Sequence, residues 1–531
     1  MSTSQLLVPS RILVPGEQAS VTDLVRRDEM IRVIRGELMP TPAGGGRLAL
    51  IDKVIVPGLP RPSAVLEAVK QTILDIRKAR EQRDQRQARI IAFVPTYEQE
   101  DAVGRTIESL LLQTREPGID KIVVCINGPG DSNVAYDEAM SYVSAFKGRL
   151  EVIRPEGVAG KVNALNYMFM KYCRDSWYDF VLGIDADIVA DKDMVLHLDQ
   201  ELIERKQAGG VMARYSFIVP TDMKGKSRHL VFGQRHEFAA TGINHQLRQY
   251  SSDILGGQAT LFRRSVLQEV ADITESGIYY GPWSIHSKVE DAELTRQMQN
   301  LGHKTATSRN ARAWTGLMFS AHTWQKQRRK WQDGHLEDMV RDFHPWLDRR
   351  RWFEQFTLGW NLMIRIMFAT LLATSVSLDR FVFMPLWLIP MGLAVLQSFL
   401  IALKVPNKQL PEIIRSVLFL PGEVYYVRTL SVWLDSVIVM FLNVKRDGWK
   451  NQAAAEASKK KSAMSVWLII ALAVLAPSMA FILGSKALPG EVVDGVLNGL
   501  WTTLSIMTAL SVANMAYKIV RIIRHFRTLA P

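Results

Sequence analysis

At 531 residues, 48% of them hydrophobic, the chain has room for two or more domains, which excludes a single small module. Its formal net charge of +12 fits anionic partners, whether nucleic acid, lipid headgroups or a phosphorylated substrate, and the sign alone does not separate them. Two cysteines, Cys125 and Cys173, without CxxC spacing, exclude a disulfide framework, argue against a zinc site and make a reducing compartment the default.

The opening MSTSQLLVPSRILVPG has no apolar run long enough for a signal-peptide core, so whatever precedes the membrane is expected to stay on the side where it is made. Residues 1–85 hold a Pro/Gly-rich break, MPTPAGGG, a strand-like LALIDKVIVPG and a charged helical run from Pro62, and define no chemistry. From Arg89, strands alternate with helices: RIIAFVPTY, KIVVCINGPGD, LEVIRPEG and YDFVLGIDADI are the strand-like runs, with helical runs between them. Such alternation predicts an α/β domain with a mainly parallel sheet, in which ligands bind at the carboxyl ends of the strands.

One of those ends carries Asp185 and Asp187 two residues apart. In extended backbone both carboxylates project to one side and need a counter-charge. A hard cation, Mg²⁺ or Mn²⁺, carrying a nucleotide diphosphate supplies it; a solvated acidic turn is the plain alternative. In GVAGKVNALN, Lys161 follows a glycine and precedes a helix, where its ammonium either meets a phosphate or is an ordinary exposed charge. SDILGGQATLFRR reads by its residues as a plain turn and strand, and has an acceptor-side role only through the family resemblance given below. Asp291, in KVEDAELTRQMQNLG, stands at a helix entrance and is either a functional acid or a cap favoured by the helix dipole.

The basic cluster QKQRRKWQDG (Gln325 to Gly334) is followed by four apolar runs approaching the roughly 20 residues needed to cross a bilayer: 356–378, 381–403, 465–483 and 496–517. The segment between Lys404 and Lys461 and the Arg521/Arg524/Arg527 tail are rich in Lys and Arg, whereas the turns near Asp379 and Lys486–Asp494 are poor in them. Positive charge stays inside, which predicts four spans with residues 1–350 in the cytosol. Asn361 and Arg365 fall inside the first span and are expected to face protein or water. The interrupted run at 410–443 reads as helices in the cytosolic interface, with a further hairpin into the bilayer as the competing arrangement.

In order and spacing, VPTYEQE with INGPGD, then GIDADI, then VEDAEL, then QRRKW directly before membrane spans resemble the membrane-embedded family-2 glycosyltransferases, which include cellulose, hyaluronan and chitin-oligosaccharide synthases. The resemblance covers roughly Arg89 to Tyr517. It implies a GT-A α/β catalytic domain at 86–350 fused to an α-helical transmembrane region at 351–531, in a multi-pass cell-membrane protein. It further implies a nucleotide-sugar donor, UDP-type, bound by Thr96, Glu98, Asn127, Asp131, Lys161 and Asp185. A metal falls to Asp185 and Asp187, the catalytic base to Asp291, and a QxxRW-like diphosphate and acceptor element to Gln327, Arg328, Arg329, Lys330 and Trp331. Two positions depart from the pattern: Lys330 stands where the family has arginine, losing the planar fork, and Asn127 where the uracil loop commonly has aspartate.

The activity so implied is inverting sugar transfer to an acceptor hydroxyl in polysaccharide or cell-surface glycan synthesis. The alternatives are single addition to a lipid or protein acceptor and, from another class, a nucleotide-binding membrane transporter or scaffold. Membrane lipids are expected partners and nucleic acid is not, since zinc-finger and RNP patterns are missing and the spans argue against it.

Overall fold

The computed structural model describes residues 12–13, 88–116, 118–144, 148–174, 178–220, 226–341, 348–442 and 464–531. Apart from the pair Ile12–Leu13, which forms a short antiparallel ladder with Val219–Pro220, the region 1–85 lies outside the described residues, as does the basic run from Lys445 to Lys461.

In chain order the elements are β1 (Ile90–Tyr97), α1 (Val103–Leu111), β2 (Lys121–Asn127), α2 (Val134–Val143), β3 (Leu150–Ile153) and α3 (Lys161–Tyr172). There follow β4 (Phe180–Gly183), β5 (Val189–Ala190), α4 (Met194–Glu204), β6 (Ala208–Phe217), α5 (Lys226–Leu247) and β7 (Thr260–Arg263). Next come α6 (Arg264–Ala271), α7 (Glu290–Asn300), β8 (Lys304–Thr315) and the long α8 (Ala321–Arg341). The remainder is helical: α9 (Arg349–Ser377), α10 (Leu388–Ala402), α11 (Leu410–Ser416), α12 (Phe419–Phe441), α13 (Met464–Ser485) and α14 (Gly490–His525).

The eight strands form one mixed sheet in the order β3-β2-β1-β4-β7-β6-β8-β5. Strands β3, β2, β1 and β4 are mutually parallel, as the alternating pattern predicts, and β7 enters antiparallel between β4 and β6. The continuous apolar run of β1 follows from burial on both faces. Ile90, Ala92 and Val94 belong to one core cluster, with Val103, Ile107 and Leu198, while Ile91 and Phe93 belong to the other, with Leu165, Phe169 and Trp283.

The chain divides into two compact units, and not at residue 350. One comprises residues up to 224 with 244–317, and the other comprises 225–243 with 318–531. Helix α8, and with it the QRRKW element, therefore belongs to the helical unit. The reason is packing: Trp324 meets Tyr425 of α12 with ring centroids 5.5 Å apart, and Arg329 pairs with Asp435 at 2.7 Å.

Among the described residues of the helical unit, four helices are long and apolar enough to cross a membrane: Arg349–Ser377, Pro385–Ala402, Phe419–Phe441 and Gly490–His525; Ile470–Ser485 is a shorter apolar helix. The region read as interfacial helices is thus one seven-residue helix followed by an unbroken helix of 23 residues. Pro421 does not interrupt α12 because it lies in the first turn, where its missing N–H would have no helical partner. Two acids within this helix are paired inside the unit: Glu423 takes two hydrogen bonds from Arg365, at 2.5 and 2.9 Å, and Asp435 takes Arg329. Arg365 faces protein as expected, with its guanidinium also 4.8 Å from the Tyr426 ring centroid.

Candidate active site

Strand β4 delivers Asp185 to its carboxyl end, but the backbone has already left the strand at Gly183. Asp185 to Ile188 form a turn, with Ile188 N donating to Asp185 O at 3.3 Å, and the Thr106 hydroxyl of α1 pins that turn by donating to Ala186 O at 2.6 Å. The two aspartates are therefore not neighbours on one side of an extended strand. Ala186 is buried beneath the turn, and its carbonyl is more favourably satisfied by Thr106 than left unpaired in a continuing strand.

Lys161 opens α3 directly after Gly160, whose φ of +85° suits glycine. Its Nζ lies 2.8 Å from Asp185 Oδ1, 2.8 Å from Glu290 Oε1 and 3.9 Å from Asp291 Oδ2. Burial opposes the charge on Lys161, yet Asp185, Asp291 and Glu290 outweigh it and hold the ammonium well above its ordinary range. The Asp187 carboxyl, although its side chain reaches solvent, is pushed up to about 7 by desolvation in this crowded floor and by the negative charges of Asp185 and Glu100.

Asp291 does not cap α7. The N-cap is Val289, without a side-chain cap bond, and Asp291 Oδ2 instead accepts the Gly257 amide at 2.8 Å. Burial raises its carboxyl above the ordinary range, Lys161 opposes that, and Glu290 and Asp185 reinforce it. The GGQ turn explains itself here. A Cβ on Gly257 would stand 2.7 Å from Asp291 Oδ2, and one on Gly256 would stand 2.4 Å from the Tyr215 hydroxyl. Asn166, about one and a half turns along α3 from Lys161 and fully buried, holds the loop before α7 by donating to Trp283 O at 2.7 Å and accepting Trp283 N at 3.1 Å.

The first strand ends are built differently. Thr96, Glu98 and Asn127 are all buried. The Glu98 carboxylate accepts the amides of Gly130, at 2.8 Å, and Asp131, at 3.3 Å, together with the Arg154 guanidinium at 3.0 Å. Thr96 Oγ1 donates to Val94 O, and Asn127 Nδ2 to Thr96 O at 2.9 Å. These side chains shape the INGPGD loop, on which Asp131 is exposed.

Gln327, Arg328, Arg329, Lys330 and Trp331 lie on α8 within the helical unit. Arg328 pairs with Glu237 at 2.9 Å and stacks on Trp331 at 4.5 Å from the ring centroid, and Lys330 is buried. The same unit contains a cavity of about 670 Å³ lined mainly by apolar side chains, with the rings of Trp360, Tyr425 and Tyr426 and the amides of Asn361, Gln397 and Asn514 among them.

The structure thus brings Lys161, Asp185 and Asp291 together. It adds Glu290, Tyr215, Gly257 and Asn166, which sequence reasoning passed over as site residues, although Glu290, Gly257 and Asn166 stand inside stretches already singled out. Among the described residues no group of three or more His, Cys, Asp or Glu is arranged to hold a metal ion unaided. The hard-oxygen set of Asp185 and Asp187 fits a divalent cation whose remaining ligands come from phosphates.

Residues 88–334 match the profile of the family described as glycosyltransferase like family 2. Poly-β-1,6-N-acetyl-D-glucosamine synthase of Staphylococcus epidermidis is 24% identical over 299 residues, covering 53% of this chain and 65% of the relative. The synthase of the same name from Staphylococcus aureus strain MSSA476 is 22% identical over 284 residues, covering 52% and 62%. The match therefore spans less than two thirds of these relatives' length. Among solved structures, the mannosyltransferase PcManGT from Pyrobaculum calidifontis, in complex with GDP-Man and Mn²⁺, aligns at a TM-score of 0.38 and 12% identity over 79% of this chain and 96% of that one. GalNAc-T7 with UDP, GalNAc and Mn²⁺ aligns at 0.34 and 12%, over 45% of each. Residues 88–334 are thus similar to family-2 glycosyltransferase domains; they include the mixed α/β sheet, and the chain continues into a helical region with four candidate membrane spans among the described residues.

Proposed function

We propose that the chain is an inverting glycosyltransferase that moves a sugar from a nucleoside diphosphate donor, a UDP-sugar, to the hydroxyl of a growing glycan, making a polysaccharide from the cytosolic face of a membrane. The observation that carries this reading is the cluster at Lys161: Asp185, Glu290 and Asp291 all face its ammonium, and Asp187 adds a further acid. The cluster holds more acid than Lys161 neutralises, as a site for a divalent cation that carries a diphosphate would. Asp185 and Asp187 would hold Mg²⁺ or Mn²⁺, which when bound offsets the negative charge that grows on the diphosphate as the anomeric C–O bond breaks.

The chain's own residues supply the rest. Asp291, oriented by the Gly257 amide, takes the acceptor hydroxyl proton while that oxygen bonds to the anomeric carbon and the departing diphosphate keeps the electron pair of the broken bond. A carboxylate raised toward neutrality is a better base near physiological pH than an ordinary one. Lys161, released by Asp185, meets the diphosphate and places its positive charge where negative charge develops in the transition state. The relatives' name supports a polysaccharide product, and the aromatic faces and amides of the helical-unit cavity suit sugar rings. The apolar remainder of that wall favours a second reading, single addition to a lipid acceptor.

The test is a screen of nucleotide sugars with Mg²⁺ or Mn²⁺ on purified full-length protein, with mass analysis of the products. A ladder of oligomers is expected. A single adduct supports the second reading, and the lack of both transfer and donor hydrolysis rejects the enzyme.

A further inference from the structure

Three acids face Lys161, and they differ in how open they are. The side chains of Asp185 and Asp291 are 28% and 26% exposed, whereas that of Glu290 is 4% exposed. An incoming ligand can therefore reach Asp185 and Asp291 and draw them away from the ammonium, but it cannot reach Glu290. Glu290 is also fixed in place, as the first residue of α7, whose preceding loop is tied to α3 through Asn166 and Trp283. Lys161 and Asn166 stand on the same helix, so both ends of the Lys161–Glu290 pair are held by one rigid connection.

We propose that Glu290 is a positioning residue: its carboxylate keeps the Lys161 ammonium at the mouth of the donor site after Asp185 and Asp291 have turned to other partners, so that the ammonium meets the donor diphosphate already placed. A long flexible lysine without such an anchor would lose rotamer freedom on each binding event, and the anchor removes that loss before the ligand arrives. Glu290 itself touches neither donor nor acceptor, and its effect passes through Lys161. This inference rests on the donor reading given above.

The experiment is a double-mutant cycle on the full-length protein, reading equilibrium binding of UDP and, separately, GDP, each with and without Mn²⁺. Glu290→Gln is expected to weaken nucleoside diphosphate binding about tenfold or more, the scale of a charge-assisted hydrogen bond, with the melting temperature little changed. In a Lys161→Met background the same substitution is expected to change binding less than about twofold, because the residue it acts through is gone. Glu290→Asp should recover part of the loss.

Equal weakening in both backgrounds overturns the proposal, since Glu290 then acts independently of Lys161. So does unchanged binding in Glu290→Gln, and so does loss of transfer with normal binding, which would make Glu290 part of the chemistry. If Glu290→Gln does not fold, the Asp variant decides: binding weakened in the wild-type background but not in the Lys161→Met background supports the anchor, and an equal change, or none, in both overturns it. Failure of the unaltered protein to bind either nucleotide overturns the donor reading, and the inference with it, and is distinct from all of these outcomes.

Discussion

The Gly257 amide donates to Asp291 Oδ2 at 2.8 Å, and the same glycine leaves no room for a side chain beside that carboxylate and the Lys161 ammonium. Gly257→Ala would press a methyl group against the far ends of two flexible side chains, which can swing away at little cost in stability. Their displacement falls on the chemistry. Transfer is expected to drop roughly 100-fold, the scale of about 1 Å of misplacement, while the melting temperature stays close to the parent's. Paired kinetics and thermal denaturation check it, and an unaltered rate would show that Asp291 need not be held there.

Asp291→Asn tests the base directly. Because Val289, not Asp291, is the N-cap, the amide has no capping role to preserve, and because it cannot take a proton, transfer should fall by about 100- to 10,000-fold. UDP binding in the presence of Mn²⁺ should survive. Retained transfer would move the base elsewhere.

The pH profile follows from the same carboxylate. A base must be ionised to work, and burial holds Asp291 above the ordinary carboxylate range. Activity should therefore fall on acidification at a higher pH than an unperturbed aspartate would give, with the limb of kcat/KM displaced toward neutrality. A limb at the usual aspartate position contradicts the assignment.

Asp187 gives a stability prediction of opposite sense to that of a salt-bridged acid. Its folded-state value, about 7, lies above the 3.8 of the free side chain, so its contribution is fully present below about 3.8 and is lost as pH rises through about 7. In metal-free buffer Asp187→Asn should raise the melting temperature at pH 8 relative to the parent and have little effect near pH 4. Added Mn²⁺ should stabilise the parent but not the variant. A shift independent of pH refutes the electrostatic cause.

Topology is checked with reporters. The basic segment from Lys445 to Lys461 and the Arg521/Arg524/Arg527 tail should be cytosolic and a reporter near Pro489 on the opposite face, because positive charge resists crossing. This requires that α12 not complete a crossing, despite its 23 apolar-rich residues. A reporter after Lys461 on the far side would show that it does.

What the sequence determined by itself is whatever depends on periodicity and local order. The parallel run β1 to β4 follows from apolar strands alternating with helices, the membrane region from long apolar runs, and the candidate acids from their placement where strands end or a helix begins. Asp185, Asp291 and Lys161 were legible for that reason. Only the tertiary structure decided which residues meet. Glu290 and Gly257 are 33 residues apart in the chain and become partners of Asp291 and Lys161 because α7 and the turn before β7 close on the start of α3. Glu98, read as a donor contact, is the buried acceptor of two loop amides, and Arg329, read as part of the diphosphate element, is paired with Asp435. The physical reason is common to both: a charge's role is set by what desolvates and neutralises it, and those groups come from distant segments that no local spacing records.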